Sequence, residues 1–444
     1  MKKYLTYKPS GYSWFGDIPS DWDIKDLKHE LKFQTGGTPS TKESKYYEGD
    51  NTWVTIGDMT GRLVSESSQL ITKEGIESAN IQITPKGSLL YSFKLSVGQV
   101  AFAGKDLYTN EAIASFLPSI KYDISYWYYA LPFILIHNAN ENIYGAKLLN
   151  QELIKNAAMI VPSKNEQQTI VRFLDFKLDQ IDRFIVNRKK QIELLREQKF
   201  GIIDKAVTKG INSKTKMKKS KIEWIDEIPE TWEVWKLKFL TKIISKGTTP
   251  STEGKDLLEV GAIRFLKAEN ITPDGITYDP KFFIDEETNQ ILKRSKLQHN
   301  DILFVIAGAT IGKAAILDKK FLPANTNQAV CFIRLRNRIM PELVYHQLQS
   351  NYIKNKMKIE SVVAAQPNIS MEDIGNFQIF LPPLGEQENL LRYIQKEANI
   401  IEMLISKYQN QIDLMEEHRS SLISQSVTGK IDVREWRPLG KADM

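Results

Sequence analysis

The sequence predicts an α+β chain in which two globular domains are separated by two long antiparallel coiled-coil helices, with a pseudo-two-fold repeat and a circular topology. Three observations predict it. The 444 residues repeat themselves once. Each copy ends in a run of apolar residues at heptad spacing. The motif that opens the first copy returns straight after its helical run.

The repeat rests on landmarks in fixed order. Trp14–Gly16–Asp17–Ile18–Pro19–Ser20–Asp21–Trp22 returns as Trp224–Asp226–Glu227–Ile228–Pro229–Glu230–Thr231–Trp232, 210 positions later. Gly36–Gly37–Thr38–Pro39–Ser40–Thr41 returns as Gly247–Thr248–Thr249–Pro250–Ser251–Thr252. Val161–Pro162 with Glu166–Gln167 returns as Leu381–Pro382 with Glu386–Gln387, and Val207–Thr208 as Val427–Thr428, both 220 later. The growing offset gives the second domain about ten more residues. The expected segments are a first domain at 1–163, a helix at 164–208, a basic linker at 209–222, a second domain at 223–383, a helix at 384–428 and a tail at 429–444.

Inside the domains, β-type runs such as Thr52–Ile56, Ser88–Phe93 and Asp301–Ile306 are broken by Gly, Pro and Asn turns. Ser125–His137 and Pro341–Ile359 read as helices. This mixture is the α+β signal.

The long helices carry the periodic one. Leu174, Leu178, Ile181, Ile185, Ile192, Leu195, Ile202 and Ala206 form a heptad seam, skipped at Arg188 and Lys199. In the second half Ile394, Ala398, Ile401, Ile405, Tyr408, Ile412, Met415, Arg419, Leu422 and Ser426 keep the same register 220 residues on. Roughly 40 residues at about 1.5 Å each make a rod of about 60 Å. Each seam needs a partner, and the other seam supplies one. Lys199 and Arg419 are equivalent positions, so parallel pairing would set two cations face to face; antiparallel pairing avoids this. Each helix follows a Pro and carries Glu–Gln in its first turn, where negative charge suits the helix dipole. The return of the opening motif after the first helix predicts that the N-terminal segment packs beside the end of the second.

The chemistry is sparse. Net charge is +6, compatible with nucleic acid. One cysteine, Cys331, excludes an internal disulfide and sits in an apolar run, the pattern of a small core residue. The five histidines, His29, His137, His299, His346 and His418, have no metal-ligand spacing. Gly308–Ala309–Thr310–Ile311–Gly312–Lys313 lacks the glycine spacing and the hydroxyl of a phosphate loop. No Asp/Asn–Pro–Pro–aromatic tetrad and no Gly-x-Gly-x-x-Gly fingerprint occurs. Met1–Lys2–Lys3 leads into polar residues, and no run reaches the roughly 20 apolar residues of a membrane span. The expectation is a cytoplasmic chain with no active site, metal or cofactor of its own.

What remains is a binding surface in duplicate. The turns at Thr38, Ser40, Thr41 and Lys42, and at Thr249, Ser251 and Thr252, offer hydroxyls and backbone amides of the kind that hold phosphates. Thr109–Asn110–Glu111–Ala112 returns as Thr326–Asn327–Gln328–Ala329. Asn110, Asn327 and Gln328 suit two-pronged bonds to adenine, and Glu111 suits cytosine; a structural turn is the even alternative. Lys94, Lys105, Arg264, Lys267 and Lys313 are candidates for phosphate contacts.

The doubled Trp-x-Gly-Asp-Ile-Pro-x-x-Trp opening, Gly-x-Thr-Pro-Ser turn, Pro…Glu-Gln helix start and Val-Thr-x-Gly helix exit closely resemble the specificity subunit of type I restriction–modification systems. The resemblance covers almost the whole chain, with Gly16 replaced by Asp226 and Gly37 by Thr248 in the second copy. It implies two target recognition domains, each reading half of a split, asymmetric double-stranded DNA site. It implies a helical spacer on which two modification subunits dock. Those subunits supply S-adenosylmethionine-dependent adenine methylation, and restriction subunits add ATP- and Mg-dependent translocation and cleavage, in a prokaryotic cytoplasm. It implies no catalytic residue here. The competing readings are a self-contained methyltransferase or nuclease, which needs a motif the chain lacks, and a structural coiled-coil adaptor, which would not select DNA sequences.

Overall fold

The structure is a computed structural model describing residues 2–94, 96–141, 147–272, 275–362 and 368–438. The last residues of the expected tail, 439–444, lie outside them. The chain forms two compact units, Met1–Arg188 with Gln409–Met444, and Lys189–Tyr408. Each long helix, Lys164–Lys209 and Leu384–Val427, therefore contributes one portion to each unit.

In the first unit a five-stranded sheet runs Phe33–Thr35, Ile113–Phe116, Leu89–Ser92, Val100–Ala103, Leu63–Val64. A three-stranded sheet sets Asn51–Val54 between the parallel Tyr108–Thr109 and the antiparallel Gln69–Ile71. The helix Ile124–His137 buries Tyr126, Trp127, Leu131 and Ile134. In the second unit a four-stranded sheet runs Thr241–Lys246, Val330–Leu335, Ile302–Val305, Ala314–Ile316. Its three-stranded sheet repeats the first, with Ile263–Leu266 between the parallel Ala324–Thr326 and the antiparallel Phe283–Ile284. Leu89–Ser92 and Ile302–Val305, buried along their whole length, lie in the interior of their sheets.

The segment expected as one helix over Pro341–Ile359 is two, Pro341–Leu348 and Asn351–Val362. The break has a local cause. Ser350 ends the first helix, its amide donating to the Gln347 carbonyl at 3.0 Å, and its hydroxyl caps the amide of Ile353 at 3.4 Å. The amide of Asn351 donates to Asp204 on the first long helix at 2.8 Å.

The seam is antiparallel within each unit. In the first, Arg419 Nε lies 3.3 Å from Asp182; in the second, Lys199 Nζ lies 2.6 Å from Glu402. The two position numbers add to the same total in both pairs, which is the mark of one antiparallel register. The 220-residue shift turns one pair into the other. Lys199 and Arg419 thus each meet a carboxylate of the opposite helix. Leu174, Leu178, Ile181, Ile185, Ile192, Ile394, Ile401, Ile412 and Leu422 are buried; Leu195, Ile202, Ile405, Tyr408 and Met415 are half-buried.

The helix ends explain the repeated motifs. At each start the Gln side chain donates back to a prolyl carbonyl, Gln167 to Pro162 at 3.0 Å and Gln387 to Pro382 at 2.9 Å. The Glu receives an aromatic donor: Tyr4 OH reaches Glu166 at 2.7 Å, and Trp232 Nε1 reaches Glu386 at 2.8 Å. At each exit the chain turns through a left-handed glycine, Gly210 at φ +75° and Gly429 at φ +70°. A Cβ on Gly429 would lie 2.3 Å from Pro19, and one on Gly210 would lie 3.3 Å from Pro229. The Ile-Pro-x-x-Trp motif is therefore the cover of a helix exit, with Trp22 and Trp232 fully buried. The N-terminal segment closes onto the second helix exit: Asp432 N donates to Lys2 O at 2.9 Å, and Tyr7 OH to Gly429 O at 3.1 Å.

Ile181→Asp or Ile401→Asp places a carboxylate in the buried seam and should lower stability by about 3–5 kcal/mol. Lys199→Ala removes a half-exposed ion pair and should cost under about 1 kcal/mol. Urea unfolding midpoints of the three variants check the contrast.

Candidate nucleic-acid interface

In each unit the fold brings together the two motifs singled out from sequence. Gly36 and Gly247 end equivalent strands at a point of very close approach. A Cβ at either would lie 1.8 Å from a carbonyl oxygen, that of Thr109 or of Thr326. This contact, and not a phosphate, is why glycine is required there. The turn amides face inward: Gly37 N donates to Thr109 O at 3.0 Å, Gly247 N to Asn327 O at 3.1 Å and Thr248 N to Thr326 O at 3.2 Å. Those three amides are therefore not free for a phosphate, which corrects the expectation that the turn offers its backbone amides.

The side chains repeat the pairing. The Thr38 hydroxyl donates to the Glu111 carboxylate, and the Thr249 hydroxyl to the Gln328 carbonyl oxygen. One equivalent position is thus anionic in the first unit and a neutral amide in the second. Asn110 folds its Oδ1 onto the amide of Ala112 at 3.2 Å. Asn327 lies half-buried beside Gln328, which is exposed. Ser40, Thr41, Lys42, Ser251 and Thr252 are exposed on the same turns, with the Thr252 hydroxyl donating to Thr249 O at 2.7 Å.

The lysine and arginine candidates divide. Lys94 shares a recess of about 550 Å³ with Glu111, Gln151 and Lys155, so it joins the first turn. Lys105 is exposed on the connection that follows Val100–Ala103. Arg264 is only 8 % exposed; its Nη2 donates to Tyr278 O at 2.7 Å, and its guanidinium lies over the Tyr278 and Phe283 rings. That is the placement of an internal strut. Lys267 sits with its ammonium 3.4 Å from the centre of the Phe282 ring and 3.5 Å from Glu269. Lys313 lines a cavity of about 1130 Å³ in the second unit, apart from the turn.

Three amides of the Gly308–Lys313 loop are spent on internal turns. Ile311 N donates to Gly308 O, Gly312 N to Val305 O and Lys313 N to Thr310 O. Cys331 is fully buried, and burial pushes its thiol up to about 12, far from a reactive thiolate. Among the described residues no group of three or more His, Cys, Asp or Glu could hold a metal ion, and no helix is long and apolar enough to cross a membrane. Sequence reasoning missed the pairing of the Thr hydroxyl with position 111 or 328; the order of the two motifs in both copies was the available signal.

The family model of the type I restriction modification DNA specificity domain matches twice, over residues 19–194 and 229–414. The chain belongs to this family. Among its relatives, the type I restriction enzyme MjaIX specificity subunit of Methanocaldococcus jannaschii is 25% identical, over 95% of this chain and 96% of the relative. The EcoBI specificity subunit of Escherichia coli is 23% identical over 71% of this chain and 67% of its own length. Among solved structures, a chain from work on complex assembly and conformational transition of the type I R-M system superposes with a TM-score of 0.66 at 12% identity, covering 93% of this chain and 99% of that one. The HsdS subunit from Thermoanaerobacter tengcongensis gives 0.50 at 13% identity, covering 95% and 100%. This chain is a specificity subunit of a type I restriction–modification system, its family domain present twice.

One histidine of the specificity subunit titrates far from its usual range. Burial, and secondarily Lys199, lowers His346 to about 4. Between about pH 6.5 and 4 the unfolded chain binds this proton and the folded chain does not, so stability falls as pH falls through that window. His346→Gln should remove up to about 3 kcal/mol of that loss. Urea unfolding of both proteins at pH 7 and pH 4.5 measures the difference.

Proposed function

We propose that the chain reads a bipartite, asymmetric double-stranded DNA target, one half-site per domain, and directs adenine methylation and restriction by partner subunits. The observation that carries this reading is the doubled turn: the same Thr-to-loop bond occurs in both units, with Glu111 in one and Gln328 in the other. A carboxylate accepts only, whereas an amide both donates and accepts, so the two positions favour different base edges. Ser40, Thr41 and Lys42, and Ser251 and Thr252, supply phosphate contacts that orient each domain; Lys94 adds charge beside the first turn. Two modification subunits dock along the helix pair. S-adenosylmethionine belongs to them, and ATP and Mg to restriction subunits, in a prokaryotic cytoplasm.

Mapping methylated adenines in cells that carry this chain with its modification partner tests the reading. The expected result is one split sequence motif. Replacing Asn110 and Glu111 together by Ala should reduce methylation about 10- to 100-fold and relax only one half of that motif. Replacing Asn327 and Gln328 should relax only the other. Both halves changing together, or methylation by the purified chain without a partner, would overturn it.

A further inference from the structure

The cavity lined by Lys313 belongs to none of the features above. It holds about 1130 Å³, just above the roughly 300–1,000 Å³ usual for small-molecule sites. Its walls come from both long helices, the Ile311–Lys313 stretch and the two helices broken at Ser350. The wall is of two kinds. Ile203, Ile311, Met357, Ile369 and Ile405 make an apolar surface, and Arg196, Lys199, Lys313, Lys354 and Lys358 bring positive charge.

The two carboxylates in the wall are already engaged. Glu402 pairs with Lys199 at 2.6 Å, and Asp204 accepts from the amide and the side chain of Asn351 at 2.8 and 3.3 Å. Arg196 and Lys313 have no ion-pair or hydrogen-bond partner for their side chains among the described residues. Lys354 holds its ammonium 3.9 Å from the centre of the Phe200 ring, and loss of water lowers its pKa. His346 stays neutral near pH 7 in the same wall, so it can bond a polar edge without adding charge.

The repeat shows that this charge is not part of the shared frame. Arg196 corresponds to Glu416, 220 residues on, and Phe200 to Ser420. Lys313 corresponds to Gln99: Val305 N donates to Lys313 O as Ser92 N donates to Gln99 O. Gln99 is engaged with the Met59 carbonyl. A surface that served both halves alike would keep these charges in both. Lys199 is kept as Arg419, but the counterpart of Arg196 is reversed and that of Lys313 is neutral in the first unit.

We infer that the cavity binds a free nucleoside phosphate, with the phosphate held by Arg196, Lys313 and Lys354 and the base set against the apolar wall beside Phe200 and His346. A bare anion would leave the apolar wall wet, and an apolar ligand would leave three cations unpaired. A nucleoside phosphate satisfies both.

Isothermal titration of the full-length chain in its complex with the modification subunit tests this, with AMP, GMP, adenosine and inorganic phosphate as separate probes. AMP or GMP should bind saturably, with adenosine and phosphate at least tenfold weaker. Arg196→Ala and Lys313→Ala should each weaken nucleotide binding roughly tenfold, as expected for one charge-assisted bond. Neither side chain has a partner to lose, so melting temperatures should stay unchanged. Glu416→Ala, the mirror position, should have no effect. Absence of saturable nucleotide binding would overturn the inference, as would binding that survives the Arg196→Ala/Lys313→Ala double variant. Failure of nucleotide binding with Lys313→Ala weakening only duplex DNA would also overturn it, assigning the charge to the DNA backbone. None of these outcomes bears on which half-site each domain reads.

Discussion

Two long helices, each with one apolar stripe, cannot remain solvated singly; the burial of one stripe against the other is the constraint on which the rest depends. Ile181 and Ile401 are nearly removed from water by that contact. Apolar seams alone tolerate sliding, because one heptad resembles the next. The charges in the seam fix the register: Lys199 finds Glu402 and Arg419 finds Asp182, and any other antiparallel register separates both pairs at once. The energy of each half-exposed pair is small, but their agreement selects one alignment.

The same constraint explains why the conspicuous motifs cluster at helix ends. A helix of fixed length must start and stop at fixed places if a domain is to follow it in a fixed orientation. Gln167 and Gln387 tie each start to the preceding prolyl carbonyl, and Gly210 and Gly429 stop each exit under a Pro and a Trp. The first long helix is answered by Pro229 and Trp232, and the second by Pro19 and Trp22 near the start of the chain. The circular topology follows from this. The exit cover is one structural part used twice, and the N-terminal segment supplies it to the second helix.

Much of this was legible because it is periodic or repeated. The heptad spacing gave the helices, and the equivalence of Lys199 and Arg419 gave their direction. The ordered motifs identified the frame. What escaped the sequence depends on contacts between distant segments. The break within Pro341–Ile359 uses Ser350 as a local cap, but it becomes favourable only once Asp204 of the distant long helix accepts the Asn351 amide. Arg264 reads as a surface cation until the Tyr278 and Phe283 rings close over it. The turn at Gly36 reads as a phosphate holder until Thr109 is seen against it, and Lys313 reads as a scattered charge until Arg196 and Lys354 line the same cavity.

The repeat also separates what is shared from what differs, and the difference has a physical pattern. Positions that bear on the helices keep their chemistry: Ile185 and Ile405, Asp182 and Glu402, Gln167 and Gln387. Positions facing outward from the turn change chemistry while keeping one bond, as Glu111 and Gln328 do with Thr38 and Thr249. A side chain anchored by one hydroxyl has a fixed place but a free second atom. Exchanging carboxylate for amide alters what that free atom can bond without moving the backbone. Divergence of this kind leaves stability almost untouched, since neither helix packing nor the close approach at Gly36 or Gly247 senses it. A frame that holds the reading position while staying indifferent to its chemistry is what two unlike half-sites require.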